Sequence, residues 1–362
     1  MTVKLLNKLS FDGYRYFPTI RTRQAELKGL ANLDEERKAR ILPLLTLGKW
    51  PQATDFIRSA DKAKEAMGQL PYFLDLTADG RHLADHLSAL RDPSESFAKW
   101  RAFVSSYPSA IPIVQLPSDA RTRDVIRQAV EIERSVGKVG FRIRDFAKDT
   151  TLVIGALSAM DDARNAIVFI DCEYIRAALA AYVAAAITTI NHVRQEFPEA
   201  FIAVLSTSFP SSTKPFADST QLRGSIDIQE RDLHERIGGH SVAAYGDHGS
   251  VHSVVYDDAP IMRWAARIDY PREFDWYFER RPKDQSADGY ISAAREIVRV
   301  DPDIGTRGIW GEQMIVDAAN GAPHAKAPAP WIAVRVNIHL ARQLELSENL
   351  SQRDADTDED DL

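Results

Sequence analysis

Short runs of β-branched, aromatic and other apolar residues recur through the first 250 residues of the chain, separated by segments with helical periodicity. Apolar residues at positions i, i+3 and i+4 indicate amphipathic helices most clearly over residues 54–67, 121–136 and 172–197. The pattern predicts eight strands whose first residues lie 25 to 40 positions apart: residues 16–20, 41–47, 72–76, 111–116, 139–143, 166–171, 201–206 and 241–247. Strands that alternate with helices pair in parallel through right-handed crossovers.

Eight strand–helix units over residues 1–255 predict an α/β fold, specifically a closed (β/α)8, TIM-like barrel rather than an open doubly wound sheet. The motif GxGxxG does not follow the first predicted strand, which argues against a dinucleotide-binding crevice. The motifs GxxxxGK(S/T), HExxH and GxSxG do not occur either. At the level of motifs, the sequence therefore argues against P-loop, zincin and serine-hydrolase chemistry.

The rhythm changes after residue 255, and the pattern there predicts an α+β C-terminal extension packed on the barrel over residues 256–347. We expect two short strands around a turn and then two helices: residues 265–281, 290–298 and 310–319. Residues 348–362 contain seven acids and one arginine, which is typical of a disordered acidic tail.

Residues 331–340 alternate strictly between two kinds of side chain, and such alternation indicates a half-buried strand. One face is apolar, and the other carries a polar and aromatic stripe: Trp331, Arg335, Asn337 and His339. The stripe is suited to contact a nucleotide or a peptide, and a solvated edge strand would show the same pattern.

Composition and charge describe an ordinary globular chain, with 44% hydrophobic and 27% charged residues. The net charge is −7, but the acidic tail holds −6 of it, so residues 1–347 are nearly neutral. That balance excludes a protein that coats nucleic acid through bulk charge. The single cysteine, Cys172, allows no intramolecular disulfide and no cysteine-based zinc site, which favours a reducing cytoplasmic location.

Targeting and membrane segments are not expected. The N-terminus lacks the apolar region and cleavage site of a signal peptide. The longest apolar stretch, residues 177–190, is too short to span a bilayer and favours a buried alanine-rich helix. We therefore expect a cytoplasmic protein without a membrane partner.

The parity of the strands sorts the polar residues. If Phe141 and Ile143 face the surrounding helices, Arg142 and Arg144 point inward or toward the mouth of the barrel. The carboxyl ends of the strands carry the active site in barrel enzymes. The candidates for catalysis at these ends are Asp171, Asp247 and His248. The candidates for ligand binding are Arg21, Asp75, Gln115, Arg142, Arg144, Ser206, Tyr245, Arg335, Asn337 and His339.

These residue types support two kinds of chemistry. Arginines present planar forks to phosphate or carboxylate, and the histidine and aspartates are suited to proton transfer. No cofactor is assigned, although Asp75, Asp171 and Asp247 together offer ligands that Mg²⁺ prefers. His248 and His252 lack a clear third metal ligand beyond Asp247. The alternative is that the charges form buried Arg–Asp pairs, since buried charges must be paired whatever the function.

Nucleic-acid contact has one candidate region. Arg280, Arg281 and Lys283 lie near Trp276 and Tyr277, which gives the best basic and aromatic neighbourhood in the chain. An isolated patch of this kind is also common on ordinary protein surfaces.

Several motifs, taken in order, resemble the beta protein family, a group of T-even phage beta protein-like sequences. The resemblance extends to about residue 345 and rests on residues 16–21, 24–27, 40–45, 245–247, 267–270, 276–280, 310–312 and 337–340. Two segments depart from the family pattern: Arg21-Thr22-Arg23 replaces a lysine-rich strand exit, and Asn337-Ile338-His339 replaces a pair of histidines. The resemblance implies a setting in phages, prophages and bacterial genomes, often near candidate anti-phage genes, without an assigned reaction.

Two hypotheses follow. In the first, the protein is a binding or scaffold component in phage–host conflict that recognises a partner protein or a phage product. In the second, it is an enzyme that acts on a phosphorylated ligand, such as a nucleotide or a nucleic-acid end, at the carboxyl ends of the strands.

Overall fold

The structure is a computed structural model that describes residues 6, 8–81, 83–254, 264–282 and 286–360. Strands alternate with helices through the first part of the chain, as the periodicity predicted. The elements up to the seventh strand are β1 (Thr19–Arg21), α1 (Gln24–Ala31), α2 (Glu35–Ala39), β2 (Leu44–Leu47), α3 (Ile57–Met67), β3 (Tyr72–Leu76), α4 (Ala84–Arg91), α5 (Ala98–Ser105), β4 (Ala110–Pro112), α6 (Thr122–Val136), β5 (Val139–Ile143), α7 (Lys148–Ala159), β6 (Ala166–Tyr174), α8 (Leu179–Glu196) and β7 (Phe201–Thr207).

The remaining elements mix short strands with helices. In chain order they are β8 (Arg223–Asp227), α9 (Gln229–Arg236), β9 (Ala244–Tyr245), β10 (Ala266–Pro271), β11 (Asp275–Arg281), α10 (Ala287–Val300), α11 (Trp310–Ala319) and α12 (Pro328–Asp360). The two strands expected within residues 265–281 are confirmed as the antiparallel pair β10–β11. The short strand β8 was not predicted, because its sequence RGSID has a single apolar residue, Ile226, and no apolar run or alternation.

The strands form three sheets. Two are parallel and four-stranded, in the orders β1-β2-β3-β4 and β5-β6-β7-β9, and the third is antiparallel in the order β10-β11-β8. The prediction of a closed eight-stranded barrel is therefore wrong. Between the parallel sheets only single bridges occur among the described residues, Ile113 to Gly140 and Tyr16 to Tyr245. The ladders stop there because β9 has two residues, while β4 ends at Pro112, which has no N–H to donate.

An apolar cluster joins the inner faces of the two parallel sheets. Side chains of both sheets share it: Phe17, Leu42, Leu44, Phe73, Ile111, Ile113, Ile167, Phe169, Ala203 and Leu205. Gly140 is required in its centre, because a Cβ on this residue would lie 2.4 Å from Ile113 and 3.0 Å from Phe73. The cluster supports the amino half of the sheets and leaves their carboxyl ends for polar residues.

The long helix α12 replaces the strand predicted over residues 331–340. The strand prediction is wrong because nearly every side chain in this stretch is buried, so strict alternation does not correspond to an inner and an outer face. The helix packs on α1 at Gly29, where a Cβ would lie 2.8 Å from the carbonyl oxygen of Ala333. The helical backbone continues to Asp360, whereas the sequence predicted a disordered acidic tail from residue 348.

Two further predictions concern exposure and domains. Helix α8 forms within the predicted alanine-rich segment, but Ala180, Ala181 and Ala184 on it are exposed, so it is not a buried helix. The predicted domain boundary between residues 255 and 256 lies outside the described residues, and the division stays a prediction. Among the helices described, none has the length and apolar character needed to cross a membrane.

Candidate functional site

Polar side chains gather where the parallel strands end. Along β3 and β6, an apolar residue on the inner face is followed two positions later by an aspartate: Phe73 precedes Asp75, and Phe169 precedes Asp171. Residues two apart in a strand project from the same face. The inner faces therefore change from apolar to charged toward the carboxyl ends, as the parity argument expected.

Arg142 lies between the two aspartates. Its Nη1 is 3.0 Å from Asp75 Oδ2 and 3.0 Å from Thr46 Oγ1, while its Nε and Nη2 are 2.9 and 2.7 Å from Asp171 Oδ2. Arg142, Asp75 and Asp171 are all buried. We call Arg142 with these three partners the Arg142 centre. It is the buried Arg–Asp arrangement that the sequence left open as an alternative.

The charges of this centre control its protonation. Burial by itself would raise the pKa of Asp75, but Arg144 and Arg142 hold that pKa below its usual value. The pKa of Asp171 is also raised by burial and is then lowered well below its usual value by His248 and Arg142. Both carboxyls are therefore ionised at neutral pH and stay bound to the arginine.

Gln115 completes the inner wall. Its side chain donates to Asp75 Oδ1 over 3.1 Å, and its backbone is bound at both ends by the amide of Gln128. Gln115 also lines a cleft of about 290 Å³ that extends past Arg144 toward Lys148. The residue predicted to bind ligand thus contacts the Arg142 centre directly.

Arg144 and Arg21 are less fully paired than Arg142. Arg144 donates through Nη2 to Asp75 Oδ2 over 3.2 Å, and its side chain keeps 26% of its surface exposed. Arg21 donates through Nη2 to the carbonyl oxygens of His252 and Ser253. Within the described residues, Nη1 of each arginine has no hydrogen-bond acceptor. Burial lowers the pKa of both arginines, and neighbouring arginines lower it further.

These arginines line a cleft of about 190 Å³, which we call the strand-end cleft. Its wall includes Arg21, Arg142, Arg144, His248 and Thr19. The hydroxyl oxygen of Thr19 is buried and has no hydrogen-bond partner in the structure. The Thr19 hydroxyl is therefore available to a molecule in the cleft.

His248 extends the Arg142 centre toward the cleft. Its Nε2 is 2.9 Å from Asp171 Oδ1, and its backbone N–H donates to the carbonyl oxygen of Ser206 over 3.2 Å. Ser206 is buried and positions His248 through its main chain. An aspartate that orients a histidine at the wall of a cleft is an arrangement able to move a proton.

Metal binding is not supported by the geometry. In the part of the chain that the structure describes, no three His, Cys, Asp or Glu side chains are placed to hold a metal ion. Asp75 and Asp171 are occupied by arginine, and Asp247 is bound elsewhere, so the three acids considered for Mg²⁺ do not converge. Two of the three carboxylates, those of Asp75 and Asp171, are therefore paired with Arg142.

Asp247 forms a second buried centre. Its Oδ1 accepts hydrogen bonds from Tyr16 over 2.9 Å and from the backbone of Gly249 over 2.8 Å. Its Oδ2 accepts from Tyr245 over 3.1 Å and is 3.0 Å from His339 Nε2. We call this the Asp247 centre. Burial would raise the pKa of Asp247, but His339 holds it below the usual value.

The stripe predicted on residues 331–340 is buried by helix α12. Arg335 Nη1 is 2.6 Å from Asp269 Oδ2, and its guanidinium lies 4.0 Å from the ring centre of Phe209. Asn337 accepts from Gly311 N and donates to Gly29 O, over 2.8 and 3.0 Å. These side chains, with His339, hold α12 to the body and do not form an exposed contact surface.

Several residues of the strand-end cleft were not among the predicted site residues, and Thr19, Glu26 and Thr46 are three of them. Glu26 is buried on α1, and its Oε2 accepts the backbone N–H of Arg21 over 2.8 Å. Burial raises the pKa of Glu26, while Arg21 opposes the shift. Glu26 belonged to the segment on which the family resemblance rested, and that segment was the one signal in the sequence that pointed to it.

The fold and the cleft define an α/β protein with parallel sheets and an arginine-lined cleft at the carboxyl ends of its strands. The family model described as Beta protein matches residues 16–345. The chain therefore belongs to the beta protein family. Protein beta of Enterobacteria phage P4 is 47% identical to it over 356 residues, which are 98% of this chain and 99% of that protein. The chain is thus related to a phage protein along nearly its whole length.

Proposed function

We propose that this beta family protein acts in phage–host conflict as a recognition component that binds a phosphorylated ligand, such as a nucleotide or a nucleic-acid end, in the strand-end cleft. The observation that carries the proposal is the set of hydrogen-bond donors in one cleft without acceptors among the described residues: the Nη1 groups of Arg21 and Arg144 and the hydroxyl of Thr19. The relationship to a phage protein supports the setting.

An anion is the ligand class that these donors favour. Each arginine is partly removed from water and lies near another arginine, which destabilises its charged form. A bound anion would supply acceptors to these donors. Phosphate has several equivalent oxygens and matches donors that arrive from different elements, here β1 and the end of β5.

The role of Arg142 differs from that of its neighbours. Its Nε and both terminal nitrogens already bind Asp75, Asp171 or Thr46, so it has little capacity left for a ligand. We assign Arg142 to holding the two aspartates, and Arg144 and Arg21 to the ligand. A protein partner in phage–host conflict stays a prediction. The residues first considered for contact with that partner lie on α12 and are buried.

Isothermal titration calorimetry tests this proposal with inorganic phosphate, a nucleoside 5′-monophosphate and the corresponding unphosphorylated nucleoside. We expect the monophosphate to bind and R144Q to weaken it roughly tenfold or more, since hydrogen bonds to charged groups contribute about 1.5–3 kcal/mol. The matched control is R127Q, because Arg127 is exposed on α6 and does not line the cleft. Equal monophosphate affinity in R144Q and the wild type would refute the assignment of Arg144 to the ligand. The proposal would also be refuted if neither inorganic phosphate nor the monophosphate bound.

A catalytic role is the second candidate, and the hydrogen bond between His248 and Asp171 favours it. In this version His248 transfers a proton to or from the ligand, and Asp171 orients its ring. H248Q distinguishes catalysis from recognition alone. It removes the imidazole, while Asp171 keeps its bonds to Arg142 in this variant. Ligand turnover that is lost in H248Q while monophosphate affinity is retained would identify an enzyme, whereas binding without turnover in the wild type supports recognition alone.

A further inference from the structure

A second cleft, of about 270 Å³, lies between residues 211–214, the β10–β11 pair and the start of α12. Lys214, Arg267, Arg280 and Trp264 line it together with hydroxyl groups of the 211–213 segment. We call it the basic cleft. None of these side chains belongs to the strand-end cleft, so the proposed function does not explain it.

Two arginines of the basic cleft oppose each other. Arg267 on β10 pairs directly with Arg280 on β11 in the antiparallel register, which places both side chains on the same face of the sheet. Like charges directly opposite each other across two strands are destabilising. Arg267 is partly compensated, since its Nη1 is 3.0 Å from Thr213 Oγ1 and its Nε is 2.9 Å from Asp269 Oδ1.

Arg280 and Lys214 lack such compensation. Within the described part of the chain, neither side chain has a hydrogen bond or an ion pair. Asp269 is the carboxylate that lines the cleft, and it already binds Arg267 and the buried Arg335. Three lining cations against one carboxylate leave an excess of positive charge that no described protein group neutralises.

Behind the lining, the charge imbalance continues. Arg335 is buried, and its Nε has no hydrogen-bond partner in the structure. Burial lowers the pKa of Arg335, and Arg267 lowers it further, although Asp269 opposes the shift. Arg335 and Arg267 therefore repel each other, with Arg335 itself removed from water, and an anion in the cleft would relieve that repulsion.

Trp264 adds a flat apolar surface to these cations. It is 37% exposed, whereas Trp50, Trp100, Trp276 and Trp331 are each at most 8% exposed. An exposed indole beside unpaired cations and hydroxyl groups is the combination with which proteins stack a base and hold its backbone phosphate. An acidic peptide would pair with the cations, but its carboxylates would not stack on the indole of Trp264.

We propose that the basic cleft binds single-stranded nucleic acid, one nucleotide unit at a time, with a base stacked on Trp264. The phosphates on either side contact Lys214 and Arg280, and Arg267 contributes the charge behind them. The cleft volume suits a single nucleotide unit rather than a duplex. This inference concerns a different set of residues from the strand-end cleft and stands or falls independently of the phosphorylated ligand proposed there.

Fluorescence polarisation with labelled 12-nucleotide oligo(dT) and oligo(U) tests the proposal. We expect K214A/R280A to weaken binding roughly tenfold or more at low salt. The slope of log affinity against log salt should become shallower by about 1.4, because each phosphate contact to a single strand contributes about 0.7. W264A should weaken binding roughly tenfold at every salt concentration, since stacking is not an ionic interaction. The two variants thus separate the ionic and stacking components.

The control R58A/R127A removes the same number of cations from exposed positions on α3 and α6 and should bind as the wild type does. The oligonucleotides carry no terminal phosphate, so they do not offer the phosphorylated end proposed as the ligand of the strand-end cleft. Unchanged affinity in K214A/R280A would overturn the proposal, and so would the absence of binding at about 50 mM salt or below. Binding of poly-glutamate that equals oligo(dT) binding and does not depend on Trp264 would also overturn it in favour of an acidic peptide ligand.

Discussion

The Arg142 centre and the Asp247 centre occupy similar positions at strand ends, but only the first borders an open cleft. In both, a buried aspartate near the carboxyl end of a parallel strand collects hydrogen bonds from side chains distant in the sequence. The partners of Asp75 and Asp171 are arginines and a histidine that border an open cleft. The partners of Asp247 are two tyrosines and His339, and α12 covers them. Position at a strand end therefore does not make a functional site by itself. Whether other elements cover the strand end decides whether a ligand can reach it.

The two centres also differ in how completely their polar groups are hydrogen-bonded and in how exposed they are. The carboxylate of Asp247 is held by buried groups, namely two tyrosine hydroxyls, a backbone N–H and an imidazole. The Arg142 centre has a partly exposed neighbour, Arg144, whose Nη1 has no hydrogen-bond acceptor among the described residues. Ligand chemistry is thus expected only where a charged cluster is incompletely paired and open. Four variants or conditions test that distinction, from the largest expected effect to the smallest.

The largest effect is expected from R142A. This variant leaves Asp75 and Asp171 buried without their shared cation, and breaking a buried ion pair in this way costs about 3–5 kcal/mol of unfolding free energy. Urea denaturation followed by circular dichroism measures the change. A loss below about 1 kcal/mol would show that the pairing of these groups contributes little, which would remove the basis for separating Arg142 from Arg144.

The second effect is a pH dependence of that loss. The pKa values of Asp75 and Asp171 are held below the ordinary value in the folded protein, so their contribution to stability is present above about pH 4 and disappears as the pH falls toward the folded values. The stability difference between the wild type and R142A should therefore shrink on acidification below about pH 4. Denaturation midpoints measured from neutral pH down to about pH 3 check this, and a constant difference would contradict it.

A smaller loss is expected when the Asp247 centre is altered by H339F. The phenyl ring keeps the stacking on Trp276, whose ring centre is 5.8 Å from that of His339, but the bond to Asp247 is removed. Hydrogen bonds to charged groups contribute about 1.5–3 kcal/mol, and Asp247 retains three other donors. Monophosphate affinity should not change. Loss of ligand binding in a well-folded H339F protein would show that the two centres are coupled.

The smallest effect on stability is expected from R144Q, although the same variant has the largest expected effect on ligand affinity. Arg144 is partly exposed and its ion pair with Asp75 is shared with Arg142, so its removal should cost no more than about 1 kcal/mol. Urea denaturation of R144Q beside R142A measures both. If R144Q proves as unstable as R142A, Arg144 belongs to the structural pairing and the strand-end cleft loses its best ligand-binding group.

Much of the α/β pattern was accessible from the sequence, because it depends on local periodicity. Strands β3 and β5 have the predicted bounds, and the parity of β5 correctly placed Arg142 and Arg144 on the inner side. The polar residues at the strand ends were also identified, since a change from apolar to charged along one face is visible in the chain. The family membership followed from motifs in order along the sequence.

Other features depended on contacts between distant segments. The ladders do not close into a barrel because the edge strands are too short and one ends in proline. Residues 331–340 form a helix because α1, α11 and β10 surround them and leave no solvent face for a strand pattern to report. Periodicity records which side chains are apolar, but it does not record how many sides of an element are covered. Cover, pairing and exposure arise only when the chain is assembled, and they distinguish the sealed Asp247 centre from the open strand-end cleft.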